Sequence, residues 1–144
     1  MDNWEEKNLE NFQRLREKLI EKSNFDENCV LNRSLTLIAN KWTLLILVAL
    51  IQSSKRTSEL QKQIEGISPK MLNETLKKLI SYGMVKRKIY PEVPPRVEYS
   101  LTKFGVSTAT PLAALADWSA IWEKDLSKIY KKKQQDRLAI ISQK

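Results

Sequence analysis

The chain has 144 residues, enough for one domain to bury a core without staples, and carries a formal charge of +8 with a pI near 9.6. It holds no histidine, one cysteine (Cys29) and three glycines. That composition argues against Ser-His-Asp and Cys-His catalysis, His- or Cys-rich metal sites, an intrachain disulfide and a glycine-rich phosphate loop. No metal, cofactor or enzymatic activity is therefore expected.

The charge is unevenly spread. Residues 1–28 hold five basic and eight acidic side chains, a net of −3, whereas residues 29–144 hold twenty against nine, a net of +11. Between Lys70 and Lys103 there are eight against three, a net of +5, the electrostatic footprint of a nucleic-acid partner. The longest apolar run, Leu44 to Ile51, is far short of the ~20 residues a membrane span needs, so no membrane partner is expected. The acidic start containing Trp4 does not read as a signal peptide, and the cytoplasm is the expected location.

In chain order, Trp4 to about Lys22 reads as a helix with Leu9, Phe12, Leu15 and Leu19 roughly on one face, broken by Ser23-Asn24-Phe25-Asp26. It either covers apolar surface of its own domain or extends a dimer interface. A second helix, Cys29 to Ala39, is expected to turn Val30, Leu31, Leu35 and Ile38 inward, followed by a turn at Ala39-Asn40-Lys41 in which Asn40 tolerates a left-handed backbone. Trp42 to Ile51 is apolar on nearly every side, as a central core helix should be, with Trp42 as a core anchor. The loop Ser53-Ser54-Lys55-Arg56 places two cations beside the start of the next helix, where they can meet phosphate.

A helix from Thr57 (as N-cap) to about Ile64, a turn at Glu65-Gly66-Ile67 and a second helix opened by Ser68-Pro69 follow. The second helix carries Leu72, Leu76, Leu79 and Ile80 on one stripe, and Lys70, Glu74, Lys77, Lys78 and Ser81 opposite, with Asn73 on the flank. This pattern predicts a helix-turn-helix whose second helix enters the major groove. Met84 to Tyr90 and Arg96 to Leu101 then read as two strands around the proline-rich loop Pro91-Glu92-Val93-Pro94-Pro95, with Val97, Tyr99 and Leu101 on one face. A basic hairpin behind a recognition helix is the wing of a winged helix. From Lys103 to about Tyr130 a single long helix is expected, with Thr102 as N-cap and a kink at Pro111. Its seam of Leu112, Leu115, Trp118, Trp122, Leu126 and Ile129 is longer than a small domain needs, which points to a partner. The basic end from Lys131 is expected to fray as a solvated tail.

Three strings carry a resemblance: Lys41-Trp42-Thr43-Leu44-Leu45-Ile46-Leu47, Gly66-Ile67-Ser68-Pro69-Lys70-Met71-Leu72, and Tyr90-Pro91-Glu92-Val93-Pro94-Pro95-Arg96-Val97-Glu98-Tyr99-Ser100-Leu101-Thr102. On them the chain resembles, from about Cys29 to Trp118, the HxlR-type branch of the MarR-like winged-helix regulators of bacteria. The resemblance implies a dimeric, DNA-binding transcription regulator that dimerises through the long helix. In some relatives the cysteine matching Cys29 responds to oxidants or electrophiles. The chain departs from the family pattern at Val30, where proline is usual, at Ala39-Asn40, where Gly-Gly is usual, and at Thr75 and Ile80, where many relatives carry arginine and an acidic residue.

The expected architecture is mainly α with a small β-hairpin (α+β). It comprises a helical extension (1–28), a winged helix-turn-helix domain with its dimerisation helix (29–130) and a basic tail (131–144). The expected partners are double-stranded DNA and a second copy of the chain on a roughly palindromic operator, with a small-molecule or electrophile effector as a further candidate. Lys70, Asn73, Glu74 and Lys77 are the candidates for base edges. Lys55, Arg56, Ser68, Lys78, Lys86, Arg87 and Lys88 are the candidates for the DNA backbone, and Arg96 for the minor groove. Leu112, Leu115, Trp118 and Trp122 are expected at the dimer seam. Cys29, at a helix N-terminus, is a candidate thiol sensor or a buried packing residue. Two other classes, a non-specific DNA-coating protein and a winged-helix protein–protein module, would share the fold.

Overall fold

The computed structural model describes residues 2–20 and 25–142, without the side chains of residues 2–4, 19 and 20. Glu21 to Asn24 and the side chains of Trp4 and Leu19, named above, lie outside the described residues. The chain divides into two compact units, Met1–Lys41 and Trp42–Lys144.

The first unit holds α1 (Asp2–Ile20) and α2 (Val30–Ile38). Asp26 shapes the turn before α2: its carboxylate accepts from Asn28 N–H at 2.9 Å and its carbonyl from Cys29 N–H at 3.0 Å. Cys29 is the N-cap of α2, and Asn32 Nδ2 reaches back to the carbonyls of Phe25 and Asp26 at 2.6 and 3.1 Å. The inward face expected of α2 is not buried. Val30 is 62% exposed, Leu31 and Leu35 are exposed too, and only Ile38 is half-buried. Leu9, Phe12 and Leu15 of α1 are likewise exposed. Periodicity identifies an apolar face but not the chain that covers it. The left-handed Asn40 is also absent: no described non-glycine residue has positive φ. Instead Ala39 N–H donates to Leu35 O at 2.8 Å and Asn40 N–H to Ile38 O at 2.7 Å.

In the second unit, α3 (Lys41–Gln52) buries Thr43, Ile46, Leu47, Ala49 and Leu50 and leaves Leu45, Val48 and Ile51 exposed, so it has one open face instead of being enclosed. The core of this unit also takes Leu60 from α4 (Thr57–Gln63), Leu72, Leu76 and Leu79 from α5 (Pro69–Ser81), and Val85 and Tyr99 from the hairpin strands β1 (Val85–Tyr90) and β2 (Arg96–Leu101). The strands pair antiparallel from Val85↔Leu101 to Tyr90↔Arg96. Tyr99 is buried, with Val97 and Leu101 half-buried on the same face.

Beyond the hairpin, the expected long helix is three: α6 (Lys103–Val106), α7 (Ala109–Ile121) and α8 (Glu123–Ser142). Pro111 has no N–H to give the Ser107 carbonyl, as a continuous helix requires, so the chain breaks a turn earlier than the expected kink. A second break falls at Trp122, with φ −101° and ψ 21°. The basic stretch expected to fray from Lys131 is helical to Ser142. Thr102 caps α6 as expected, accepting from Gly105 N–H at 3.1 Å while its own hydroxyl donates to Gly83 O at 2.6 Å. Gly105 itself passes so close to β1 that a Cβ there would lie 2.1 Å from the Met84 carbonyl oxygen. Among the described residues no single helix is long and apolar enough to cross a membrane.

Candidate nucleic-acid interface

Local chemistry fixes the two helices of the helix-turn-helix. Arg56, and not Thr57, is the N-cap of α4; its N–H donates to the Glu59 carboxylate at 2.7 Å. Gly66 takes φ +83°, the left-handed conformation that lets the chain turn between the helices. Gln61 Nε2 donates to the Ile67 carbonyl across that turn. Ser68 Oγ then accepts from Met71 N–H at 3.1 Å, with Pro69 in the first turn. The Ser68 hydroxyl is thus already engaged as a cap, with only its proton left to donate to a phosphate.

On α5 the buried arc is Leu72, Thr75, Leu76 and Leu79, and Ile80, expected inside, is 37% exposed. Thr75 takes the inside position instead. Its hydroxyl donates to Met71 O at 2.7 Å and satisfies a polar group that burial would otherwise penalise. Position 75, where the resemblance points to an arginine, is thus turned into the core. Lys70, Asn73, Glu74, Lys77, Lys78 and Ser81 are all exposed, as the helical spacing requires.

The hairpin divides its cations by face. Strand alternation puts Lys86 and Lys88 with Tyr90 on one face, across from Ser100, Glu98 and Arg96, and Arg87 on the other, across from Tyr99. Lys86, Arg87 and Lys88 are exposed. Arg96, expected in the minor groove, is engaged within the hairpin. Its guanidinium lies 2.9 Å from Glu92 Oε1 and 3.1 Å from Glu98 Oε1, and its Cζ sits 3.9 Å from the Tyr90 ring centre. Lys88 Nζ is 4.7 Å from the same centre. Tyr90, Glu92 and Glu98 were not singled out by sequence; cross-strand register was the signal that would have grouped them. The Lys55 backbone pairs with Tyr99, and its ammonium donates to Ser53 Oγ at 3.0 Å.

The seam residues also separate. Leu112 is 9% exposed and belongs to the core of its own chain, whereas Leu115, Trp118, Ile121 and Trp122 are exposed in the single chain. An open, largely apolar groove at the α7–α8 bend is lined by Ser119, Leu126, Ile129 and Tyr130 among others. Cys29 is free and 5% exposed. No group of three or more His, Cys, Asp or Glu side chains stands ready for a metal ion among the described residues.

A capped helix-turn-helix followed by a basic antiparallel hairpin defines a winged helix of the kind found in transcription regulators. The model of one such family, described as HxlR-like helix-turn-helix, matches residues 37–127. Over 104 residues the chain is 43% identical to YtfH of Escherichia coli K12, an uncharacterized HTH-type transcriptional regulator, covering 72% of this chain and 82% of YtfH. The crystal structure of a MarR-family transcriptional regulator from Porphyromonas gingivalis W83 superposes with a TM-score of 0.66 at 42% identity, covering 69% of this chain and 97% of that one. The redox regulator HypR in its oxidized form superposes with a TM-score of 0.62 at 33% identity, covering 64% and 95%. The chain belongs to the HxlR-like family of helix-turn-helix transcriptional regulators.

Proposed function

We propose that the chain acts in the cytoplasm as a homodimer that recognises a roughly palindromic operator, one α5 in each of two successive major grooves ~10 bp apart. The observation that carries this reading is the exposed face of α5: Lys70, Asn73, Glu74 and Lys77 point away from a helix whose other side is packed into the core. Lysine suits guanine, asparagine adenine and glutamate cytosine. Lys55, Arg56, Lys78, Lys86, Arg87 and Lys88 are assigned to phosphates, with Ser68 as a lesser donor. The exposed Leu115, Trp118, Ile121 and Trp122 support dimerisation through α7 and its bend into α8.

Cys29 is assigned a regulatory role within the same reading. A thiol only 5% exposed at the N-cap of α2 has no room for an adduct, so modification displaces the start of that helix. The likeness to HypR, named a redox regulator, supports this assignment.

Protection mapping on DNA flanking the coding region tests the reading. A paired footprint with half-sites one helical turn apart is the expected result. Equal affinity for that DNA and for random sequence would replace the operator reading with non-specific coating.

A further inference from the structure

We propose that Arg96 is a positioning residue of the wing and contributes no phosphate or minor-groove contact, leaving Lys86 and Arg87 as the wing's principal phosphate ligands. The proposal rests on the DNA-binding reading above and assigns a role within that interface.

Two of the three Arg96 guanidinium nitrogens are paired with carboxylates and the third is shut off from solvent. Nη1 lies 3.1 Å from Glu98 and Nη2 2.9 Å from Glu92. Nε is buried with no hydrogen-bond partner, and one face covers the Tyr90 ring at 3.9 Å. A guanidinium that holds DNA phosphate strongly needs a charge not already balanced by carboxylates. Here one cation is paired with two carboxylates, so the field it projects toward DNA is cancelled at close range. The arrangement instead joins three parts of the hairpin: Tyr90 at the end of β1, Glu92 in the proline-containing loop, and Arg96 and Glu98 on β2. Three prolines in or beside that loop give it no backbone donor at positions 91, 94 and 95, and the side-chain cluster supplements the backbone bond from Glu92 N–H to Tyr90 O at 2.9 Å. At the opposite end of the ladder, Lys86 pairs with Ser100 and Arg87 with Tyr99, where the strands meet the core. Both cations are exposed there, and neither takes part in the ion pairs of the cluster.

The test measures binding of a short fluorescein-labelled duplex of mixed sequence as a function of NaCl, alongside hydrogen exchange of the hairpin amides without DNA. Lys86→Ala is expected to reduce the salt slope by about 0.9, the value for one lost phosphate contact. Arg96→Ala and Arg96→Lys are both expected to leave the slope unchanged, while hairpin amides near Tyr90 exchange about tenfold faster. Glu98→Gln, which keeps Arg96, should accelerate the same amides. A slope that falls by about 0.9 in Arg96→Ala and is restored in Arg96→Lys overturns the proposal and makes Arg96 a phosphate ligand. Unchanged exchange in all three variants overturns it as well. A wild-type chain that fails to bind the duplex even at low salt refutes the DNA reading itself, and the exchange data then judge the clamp independently.

Discussion

Lys55 and Tyr99 exchange both of their backbone hydrogen bonds, Lys55 N–H to Tyr99 O at 3.0 Å and Tyr99 N–H to Lys55 O at 2.8 Å. The loop that enters the helix-turn-helix is thereby tied to β2 by an isolated β-bridge, which joins the helix-turn-helix to the hairpin through their backbones. Lys55→Pro removes one donor and leaves a carbonyl of β2 unpaired. It should cost about 2–3 kcal/mol in urea unfolding. Lys55→Ala keeps the backbone pair and should change stability little, while reducing the salt slope of DNA binding by about 0.9.

Base-reading and phosphate-holding residues are expected to separate by variant. Lys70→Ala and Lys77→Ala should each weaken operator binding by about 1–3 kcal/mol and leave binding to random duplex much less affected. Arg87→Ala should weaken both about equally and flatten the salt dependence. Parallel titrations of the two duplexes at several salt concentrations distinguish the patterns. Loss of discrimination in Arg87→Ala would show that the wing, too, reads sequence.

Leu112 and Trp122 are expected to fail in different ways although they share one periodic seam. Leu112→Ala, inside the chain, should lose about 2–4 kcal/mol of stability with the oligomeric state unchanged. Leu115→Asp combined with Trp122→Asp should give monomers by sedimentation and weak operator binding, because a single half-site recovers only part of the energy. A double variant that stays dimeric would move the interface to the exposed Leu9, Phe12 and Leu15 face of α1.

With a single cysteine in the sequence, reversible oxidation of Cys29 gives an intermolecular disulfide, a mixed disulfide or a sulfenic acid, and only stronger oxidation carries it on to sulfinic or sulfonic acid. Operator affinity should fall at least tenfold after diamide treatment of the wild type and stay constant in Cys29→Ser. A thiol shown by mass to be modified without change in affinity would make Cys29 a packing residue.

What could be read from the sequence was mostly what neighbouring residues decide among themselves. The Ser68 cap, the Gly66 turn, the Thr102 cap and the two strands around a proline-rich loop all rest on interactions within a few positions. Tertiary placement was harder to read. Thr75 looked like a missing reader and is a satisfied core residue, because a hydroxyl can return its proton to the carbonyl four residues back. Arg96 looked like a free cation because its partners come from strand register and a loop. The break at Trp122 has no proline or glycine to announce it, and the open faces of α1 and α2 carry the same periodicity as buried ones.

The exposed ring of Trp118, 48% accessible in the single chain, has a consequence for dosage. If its cover is a second copy, the folded state gains stability by mass action. Where dimers predominate, each tenfold dilution then removes about 1.4 kcal/mol per dimer, and the melting temperature falls with it. Occupancy of an operator would rise with the square of monomer concentration wherever dimers are the minority. A modest change in synthesis or turnover of the chain would then act as a steep signal at its promoter, with no effector required.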